Sequence, residues 1–249
     1  MRDKQLIHFH HKYLTAVLLI AVLLLELRKG YFKGAWGRLR GLPYRRYVMM
    51  ILAALVASVI LMFGDVGVRA WIQAQPSSSV GWFMNFGGIM GRSTNCWTAL
   101  GWAYLAFYVA RYGTGRRVIF GTLFSSFVTG LLATLFKFTF LRARPYGGFG
   151  SLSFFNFAGL SQDSRVYQSF PSGDVAVVAG CAGYLLFISR DWRWGGGYLR
   201  WALLLLPLAT AFARVAIDKH WPSDTIFSLG LGMVAGNFVC DYERTRESL

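Results

Sequence analysis

The sequence is poor in acidic residues and in charge of either sign. Only 11 of its 249 residues are Asp or Glu, against 26 Lys or Arg, and charged residues make up 15% of the chain while 55% are hydrophobic. This composition excludes an ordinary soluble domain and indicates a membrane protein. The net charge of +15 does not indicate nucleic acid as a partner, because the basic residues lie between apolar runs rather than in one aromatic-rich patch.

Cysteine and histidine are also scarce. Cys96, Cys181 and Cys240 lie in or at the end of apolar runs without paired spacing, so we expect small core residues rather than a disulfide framework. Three of the four histidines, His8, His10 and His11, stand near the start of the chain. Their spacing does not bring three imidazoles onto one helical face, and the sequence therefore predicts no metal site and no cofactor.

Apolar runs long enough for membrane spans recur along the chain, and we predict an all-α, polytopic membrane helix bundle. Residues 1–46 form a basic N-terminal segment, in which residues 13–27 would cover only about 22 Å and are expected to lie at the interface or re-enter. Residues 47–240 form a core of six spans, and residues 241–249 form a cytoplasmic tail. The predicted spans are 47–64, 94–110, 118–141, 174–189, 201–213 and 223–239.

Unusual polar residues fall on one side of this topology. Residues 28–46 contain seven basic residues and no acid, which makes them cytoplasmic. Lys137 is then the only charge in the outer half of the third span, and Arg144 follows two turns later on nearly the same helical face before Pro145 ends the helix. An ionisable residue inside a span is a functional candidate. The alternative is a snorkelling lysine, with Arg142 and Arg144 as interfacial anchors.

The fourth span begins at the sequence Pro171-Ser172-Gly173-Asp174. Ser172 can cap this helix, and Gly173 lets an anion approach the free N–H groups at the positive end of the helix dipole. A helix cap without a ligand is the alternative.

A guanidinium, an imidazole and a carboxylate fall between residues 214 and 224. Pro222 suits the first position of a helix, which places Asp224 in the first turn and within reach of His220. A carboxylate that accepts one ring N–H makes the other ring nitrogen a better nucleophile. Arg214 presents a planar fork of donors to a phosphate oxygen. With the preceding residues, this set fits a phosphoryl group under nucleophilic attack.

These residues resemble a known family. Lys137-x6-Arg144-Pro145, Pro171-Ser172-Gly173 and Arg214-x5-His220-x3-Asp224 are similar to the three-part signature of the type 2 phosphatidic acid phosphatases, the membrane branch of the vanadium haloperoxidase and acid phosphatase superfamily. The resemblance covers residues 47–239 and implies metal-independent removal of phosphate from lipid phosphates or diphosphates. It implies that His220 forms a phosphohistidine and that Asp224 orients it. The residues implied to hold the phosphate are Lys137, Arg144, Ser172, Gly173 and Arg214.

The chain departs from the family at two positions. Asp174 stands where the family has the histidine that protonates the leaving oxygen, and Ala213 stands where it usually has serine. Asp174 could act as the catalytic acid only if burial raised its pKa, and its cationic neighbours oppose this. A diphosphate leaves as a phosphate monoester, whose second pKa is about 6, and needs little protonation. We therefore predict a preference for lipid diphosphates such as a polyprenyl diphosphate, for example undecaprenyl diphosphate.

Two other functions are compatible with the same residues. A lipid phosphotransferase or headgroup transferase could use His220 with Asp174 as base, and a non-catalytic homologue could bind a lipid phosphate. We expect the bacterial inner membrane, with the site facing the periplasm or cell exterior and membrane lipids around it. Close helix packing at Gly230, Gly232 and Gly236 could serve the bundle or a homodimer.

Two surface ion pairs are also expected from the sequence. Asp65 and Arg69, four residues apart, are expected to pair at the interface. Asp218 and Lys219 are expected to pair with each other or face water.

Overall fold

A computed structural model describes the backbone of residues 2–157, 165–189 and 196–247, and the side chains of residues 13–76, 81–157, 165–189, 198 and 200–245. All regular structure in these ranges is helical, with one short 3-10 turn at Pro145–Gly147. The helices are α1 Arg2–Arg28, α2 Ala35–Arg40, α3 Tyr44–Met62, α4 Asp65–Gln73, α5 Ser77–Met90, α6 Ser93–Val109, α7 Gly113–Phe140, α8 Gly173–Ile188, α9 Gly196–Ala216 and α10 Pro222–Glu247.

Three segments among the described residues are long and apolar enough to cross a membrane: Tyr44–Met62, Gly113–Gly147 and Pro222–Thr245. Helix α8, Gly173–Ile188, is also apolar but shorter. The all-α membrane bundle is therefore confirmed, while the full count of six spans stays a prediction.

Helix α8 lies at the centre of the bundle, with α7, α9 and α10 packed around it. Its crossing with α10 depends on two of the glycines singled out in the sequence. A Cβ on Gly232 would lie 2.4 Å from the Cβ of Ala179, and a Cβ on Gly236 would lie 2.3 Å from the backbone nitrogen of Tyr184. Glycine thus allows the two helices to touch through their backbones, within a single chain.

Helix α1 is longer than the predicted apolar segment 13–27 and packs along α6. Thr15 and Thr98 share a hydrogen bond of 2.6 Å, and the Tyr104 hydroxyl donates to Glu26 at 2.5 Å. Helix α1 can therefore bury Glu26, because the Tyr104 hydroxyl supplies a hydrogen bond to its carboxylate. The side chains of His8, His10 and His11 lie outside the described residues.

The ends of two helices differ from the prediction. Helix α7 ends at Phe140, because Leu141 adopts a left-handed conformation with φ 41°, so Arg144 does not continue the helical face of Lys137. Helix α10 runs through residue 241 to Glu247, and the predicted tail therefore begins inside a helix. Asp241 accepts from Tyr47 at 2.7 Å and pairs with Arg46, which keeps this polar end of the helix on the bundle.

Residues 65–93, between the first two predicted spans, contain α4 and α5. Helix α5 packs closely against α9, where a Cβ on Gly87 would lie 2.2 Å from the carbonyl oxygen of Ala209. Helix α5 is thus part of the bundle.

Candidate active site

A cavity of about 350 Å³ lies where α7 ends and α8 begins; we call it the anion pocket. It gathers residues from four separate parts of the chain. Its polar lining includes Ser93, Thr134, Lys137, Arg144, Asp174, Lys219 and His220. Two of the predicted phosphate-binding residues, Ser172 and Arg214, are next to lining residues rather than in the lining. Ser172 precedes Gly173 in the sequence, and Arg214 contacts Asp174.

The imidazole of His220 is fixed by a backbone carbonyl. Its Nδ1 lies 2.7 Å from the carbonyl oxygen of Ser169, an atom that only accepts hydrogen bonds. Nδ1 must therefore carry the ring proton, and Nε2 keeps its lone pair. Burial lowers the pKa of His220 to about 4; Asp224 opposes the shift, whereas the charges of Arg144 and Lys137 reinforce it. A neutral imidazole with an available Nε2 is the form that a nucleophile requires.

Asp224 lies in the first turn of α10, as predicted, but does not bond directly to the ring. Its Oδ2 is 3.8 Å from His220 Nδ1, beyond hydrogen-bond distance. The same oxygen accepts from the Ser169 hydroxyl at 2.5 Å and from the backbone N–H of Trp221 at 2.8 Å. Asp224 thus holds the two residues that flank and support His220. Its orienting role stays a prediction, and the geometry makes it an indirect one.

The main residue that sequence reasoning missed is Arg142. The sequence predicts only an interfacial anchor at this position, yet the Arg142 side chain is fully buried. Nη1 donates to Asp224 at 2.5 Å, and Nη2 donates to Asp65 at 2.6 Å. Asp65 also accepts from the backbone N–H of Ser223 at 2.8 Å. We call Asp65, Arg142 and Asp224 the buried ion cluster; it ties α4, the segment after α7 and the start of α10 together beneath His220.

The predicted pairs around these residues are wrong in their partners. Asp65 pairs with Arg142 rather than Arg69. Arg69 instead donates two hydrogen bonds, of 2.6 and 2.8 Å, to the carboxylate of Asp218. This contact lowers the pKa of Asp218. Since Asp218 has φ 59° and lies two residues before His220, α4 sets the path of the chain into the site. The sequence carried no signal for pairing across 149 residues.

Donors for an anion remain unused on the opposite side of the site. Among the described residues, Arg144 Nε, Ser172 Oγ and Arg214 Nε are buried without a hydrogen-bond partner. Ser172 occupies the N-cap position of α8, but its hydroxyl makes no capping bond, contrary to the predicted cap. A Cβ on Gly173 would lie 3.3 Å from Lys137 Nζ, so glycine lets this ammonium approach the start of α8. Such donors and charges suit a phosphate group.

Asp174 lies between an arginine side chain and a backbone N–H group. Its Oδ2 lies 3.0 Å from Arg214 Nη2, and its Oδ1 accepts from the backbone N–H of Ser93 at 2.9 Å. The contact with the guanidinium favours the carboxylate form of Asp174. In this position Asp174 holds Arg214 in place, and the start of α6 holds Asp174.

Comparisons with known proteins agree with this arrangement. A family profile described as the PAP2 superfamily matches residues 116–247, just over half of the chain. A lipid A 1-phosphatase of Rhizobium johnstonii is 34% identical over 121 residues, 47% of this chain and 43% of that protein. An undecaprenyl-diphosphatase of Sulfolobus acidocaldarius is 30% identical over 112 residues, 45% of this chain and 48% of that protein. The chain thus spans less than half the length of these curated relatives.

The fold has a counterpart among solved structures. The crystal structure of Aquifex aeolicus LpxE superposes with a TM-score of 0.51 and 17% sequence identity, covering 70% of this chain and 93% of that one. At this identity the likeness concerns the fold alone. The matched residues 116–247 include the three motifs and the anion pocket's main charges, and the chain is therefore a multi-pass helical membrane protein that belongs to the PAP2 superfamily.

Proposed function

We propose that this protein is a membrane lipid phosphatase that acts without a metal through a phosphohistidine at His220. The observation that carries the proposal is the hydrogen bond from His220 Nδ1 to the Ser169 carbonyl, which leaves Nε2 as a neutral nucleophile beside Lys137 and Arg144. Nε2 attacks phosphorus as the bond to the leaving oxygen breaks. Water then attacks the phosphohistidine, releases inorganic phosphate and restores the imidazole.

Cationic side chains stabilise the charge that develops on the transferred group. Lys137 and Arg144 line the pocket, while Arg214 stands behind Asp174 with a buried unpaired Nε. Donors placed where charge develops in the transition state contribute most of the rate in such sites.

The substrate we propose is preferentially a lipid diphosphate of the polyprenyl type. Asp174 is ion-paired with Arg214 and is a poor proton donor, so a leaving group that departs without protonation is favoured. The names of the two relatives cover a lipid phosphate and a polyprenyl diphosphate, and both classes belong in the test.

The test is phosphate release by the purified protein in detergent, from a polyprenyl diphosphate and from phosphatidic acid. We expect faster release from the diphosphate and loss of both activities, by at least about 1000-fold, in His220→Ala. His11→Ala serves as the matched histidine control. Activity that survives His220→Ala would exclude the phosphohistidine. Absence of release by a folded protein would favour the transferase or the non-catalytic binder.

Asp174→Asn and Asp174→His then separate the roles of Asp174. If Asp174 only positions Arg214, the asparagine lowers both activities by a similar factor of roughly ten, and histidine gains monoester cleavage by supplying an acid. Selective loss of monoester cleavage in Asp174→Asn would instead make Asp174 the acid.

We also propose that the site faces the periplasm or exterior of a bacterial inner membrane. Arg116 and Arg117 lie in the first turns of α7 and Lys137 lies near its other end, so the positive-inside rule favours a pocket on the outer side. A membrane-impermeant thiol reagent should label Tyr146→Cys in intact cells but not Arg111→Cys. The reverse pattern would invert the topology.

A further inference from the structure

A second polar cavity, of about 170 Å³, lies between the end of α1 and the start of α7. Its charged lining consists of Glu26, Lys29, Arg116 and Arg117. On α7, 21 residues separate Arg116 from Lys137, which at 1.5 Å per residue places the two cavities about 30 Å apart. They therefore occupy opposite ends of the bundle, and the second cavity takes no part in the chemistry at His220.

The lining of this cavity carries an excess of positive charge. Lys29 and Arg116 face the carboxylate of Glu26, which accepts from the Tyr104 hydroxyl at 2.5 Å and lies 3.4 Å from Arg116 Nε. Lys29 Nζ sits 4.2 Å from the centre of the Tyr108 ring, which fixes the ammonium without neutralising it. Because Arg116 and Glu26 pair with each other, the positive charge of Lys29 remains and favours an anion. The volume is several times the roughly 30 Å³ of one water, enough for a phosphate group.

An apolar groove continues from the polar cavity along the same two helices. Phe120 lines both cavities, and the groove, of about 140 Å³, runs on past Leu23 and Ile20 of α1 and Phe124 and Phe127 of α7. Ile20 is 58% exposed and Phe127 is 47% exposed, so the groove opens on the outer surface of the bundle. Charge at one end and an apolar channel at the other match a molecule with an anionic head and an acyl chain.

We propose that the α1–α7 junction is a binding site for one anionic phospholipid, with its phosphate between Lys29 and Arg116 and one acyl chain along the groove past Phe120. Basic pockets between helices are a recognised mode of anionic lipid binding. A free phosphate compound would use the cavity but not the groove, and a zwitterionic lipid would use the groove without the charge complementarity. The site joins α1, which precedes the matched residues 116–247, to the first turns of α7.

The experiment measures lipid binding to delipidated, full-length protein in detergent by native mass spectrometry, with thermal unfolding in parallel. Phosphatidylglycerol should bind with one-to-one stoichiometry, at least about tenfold more tightly than phosphatidylcholine of the same chains, and should raise the unfolding temperature. Lys29→Gln with Arg116→Gln should abolish this preference. The control, Lys33→Gln with Arg40→Gln, removes two cations outside the cavity and should retain it.

The groove is tested separately. Ile20→Trp should weaken phosphatidylglycerol binding several-fold by filling the channel, whereas Val17→Trp, on the same helix but outside the groove, should not. Glycerol 3-phosphate at millimolar concentration should not displace the lipid. The proposal is overturned if phosphatidylcholine binds equally well, if the control double variant loses the preference, or if glycerol 3-phosphate competes as an equal. Protein dimerisation that is blocked by Ile20→Trp would also overturn it, because the groove would then hold a second chain.

Discussion

Arg142 and Arg144 stand two residues apart and have opposite surroundings. The Arg142 guanidinium is fully buried and donates from all three nitrogens, to Asp65, Asp224, Ser223 and the carbonyl of Ser151. Arg144 has one long bond, from Nη2 to the Gln168 carbonyl at 3.3 Å, and its buried Nε is unpaired in the described part of the chain. Arg142 pairs with two carboxylates inside the fold, whereas Arg144 keeps hydrogen-bond donors for a ligand.

This contrast separates stability from function within one site. In the buried ion cluster one guanidinium bridges two buried carboxylates, so loss of Arg142 leaves both carboxylates buried without a counter-charge. In the anion pocket Asp174 pairs with Arg214, whereas Lys137 and Arg144 repel one another, and a bound anion relieves that repulsion. We therefore expect variants in the two groups to fail in different ways.

The largest effect on stability should come from Arg142→Met, which leaves the buried carboxylates of Asp65 and Asp224 without their cation. Breaking such a buried arrangement costs about 3–5 kcal/mol of unfolding free energy, and should lower the unfolding midpoint in detergent by at least about 6 °C. Arg144→Met is the matched control and should unfold at or above the wild-type temperature. Equal losses of stability in the two variants would remove the distinction between the cluster and the pocket.

A second effect should appear in Arg214→Gln, at the level of catalysis. Loss of a charged donor near the transferred phosphoryl group should lower kcat/KM by roughly 100-fold or more, with little change in unfolding temperature in the absence of ligand. Orthovanadate, which resembles phosphate, should stabilise the wild type against heat and should stabilise this variant much less. Lys219→Gln, a change at an exposed residue of the pocket rim, should cost less than about tenfold. A larger loss in Lys219→Gln than in Arg214→Gln would contradict the assignment.

The smallest effect concerns pH. Because the pKa of His220 is lowered to about 4, its ring stays neutral from neutral pH down to about pH 4, and protonation removes the nucleophile only below that. The acid limb of kcat/KM should therefore lie near pH 4, with less than about a twofold change attributable to His220 between pH 5.5 and 7. A limb near pH 6.5 would show that the ring is less isolated from water than the structure has it.

Several parts of the site were predictable because they depend on short spacings. Pro222 at the start of α10 and Asp224 in its first turn follow from the rules for helix ends, and both are observed. Lys137, Arg144, Gly173 and His220 were expected together and share one cavity. The errors concern partners that are far apart in sequence. Nothing near Arg142 indicated that Asp65, 77 residues away, would neutralise it.

The sequence by itself determined the membrane class, the helical architecture and the family, because hydropathy, charge distribution and motif spacing are local properties of the chain. The tertiary structure decided which polar residues are neutralised internally and which remain available, because pairing in a low-dielectric interior depends on side chains brought together from distant segments. In the folded protein the Ser169 carbonyl accepts a hydrogen bond from His220. Asp174 pairs with Arg214, and Asp218 pairs with Arg69. Helix packing alone produced the junction of charged cavity and apolar groove between α1 and α7, since neither helix carries that pattern by itself.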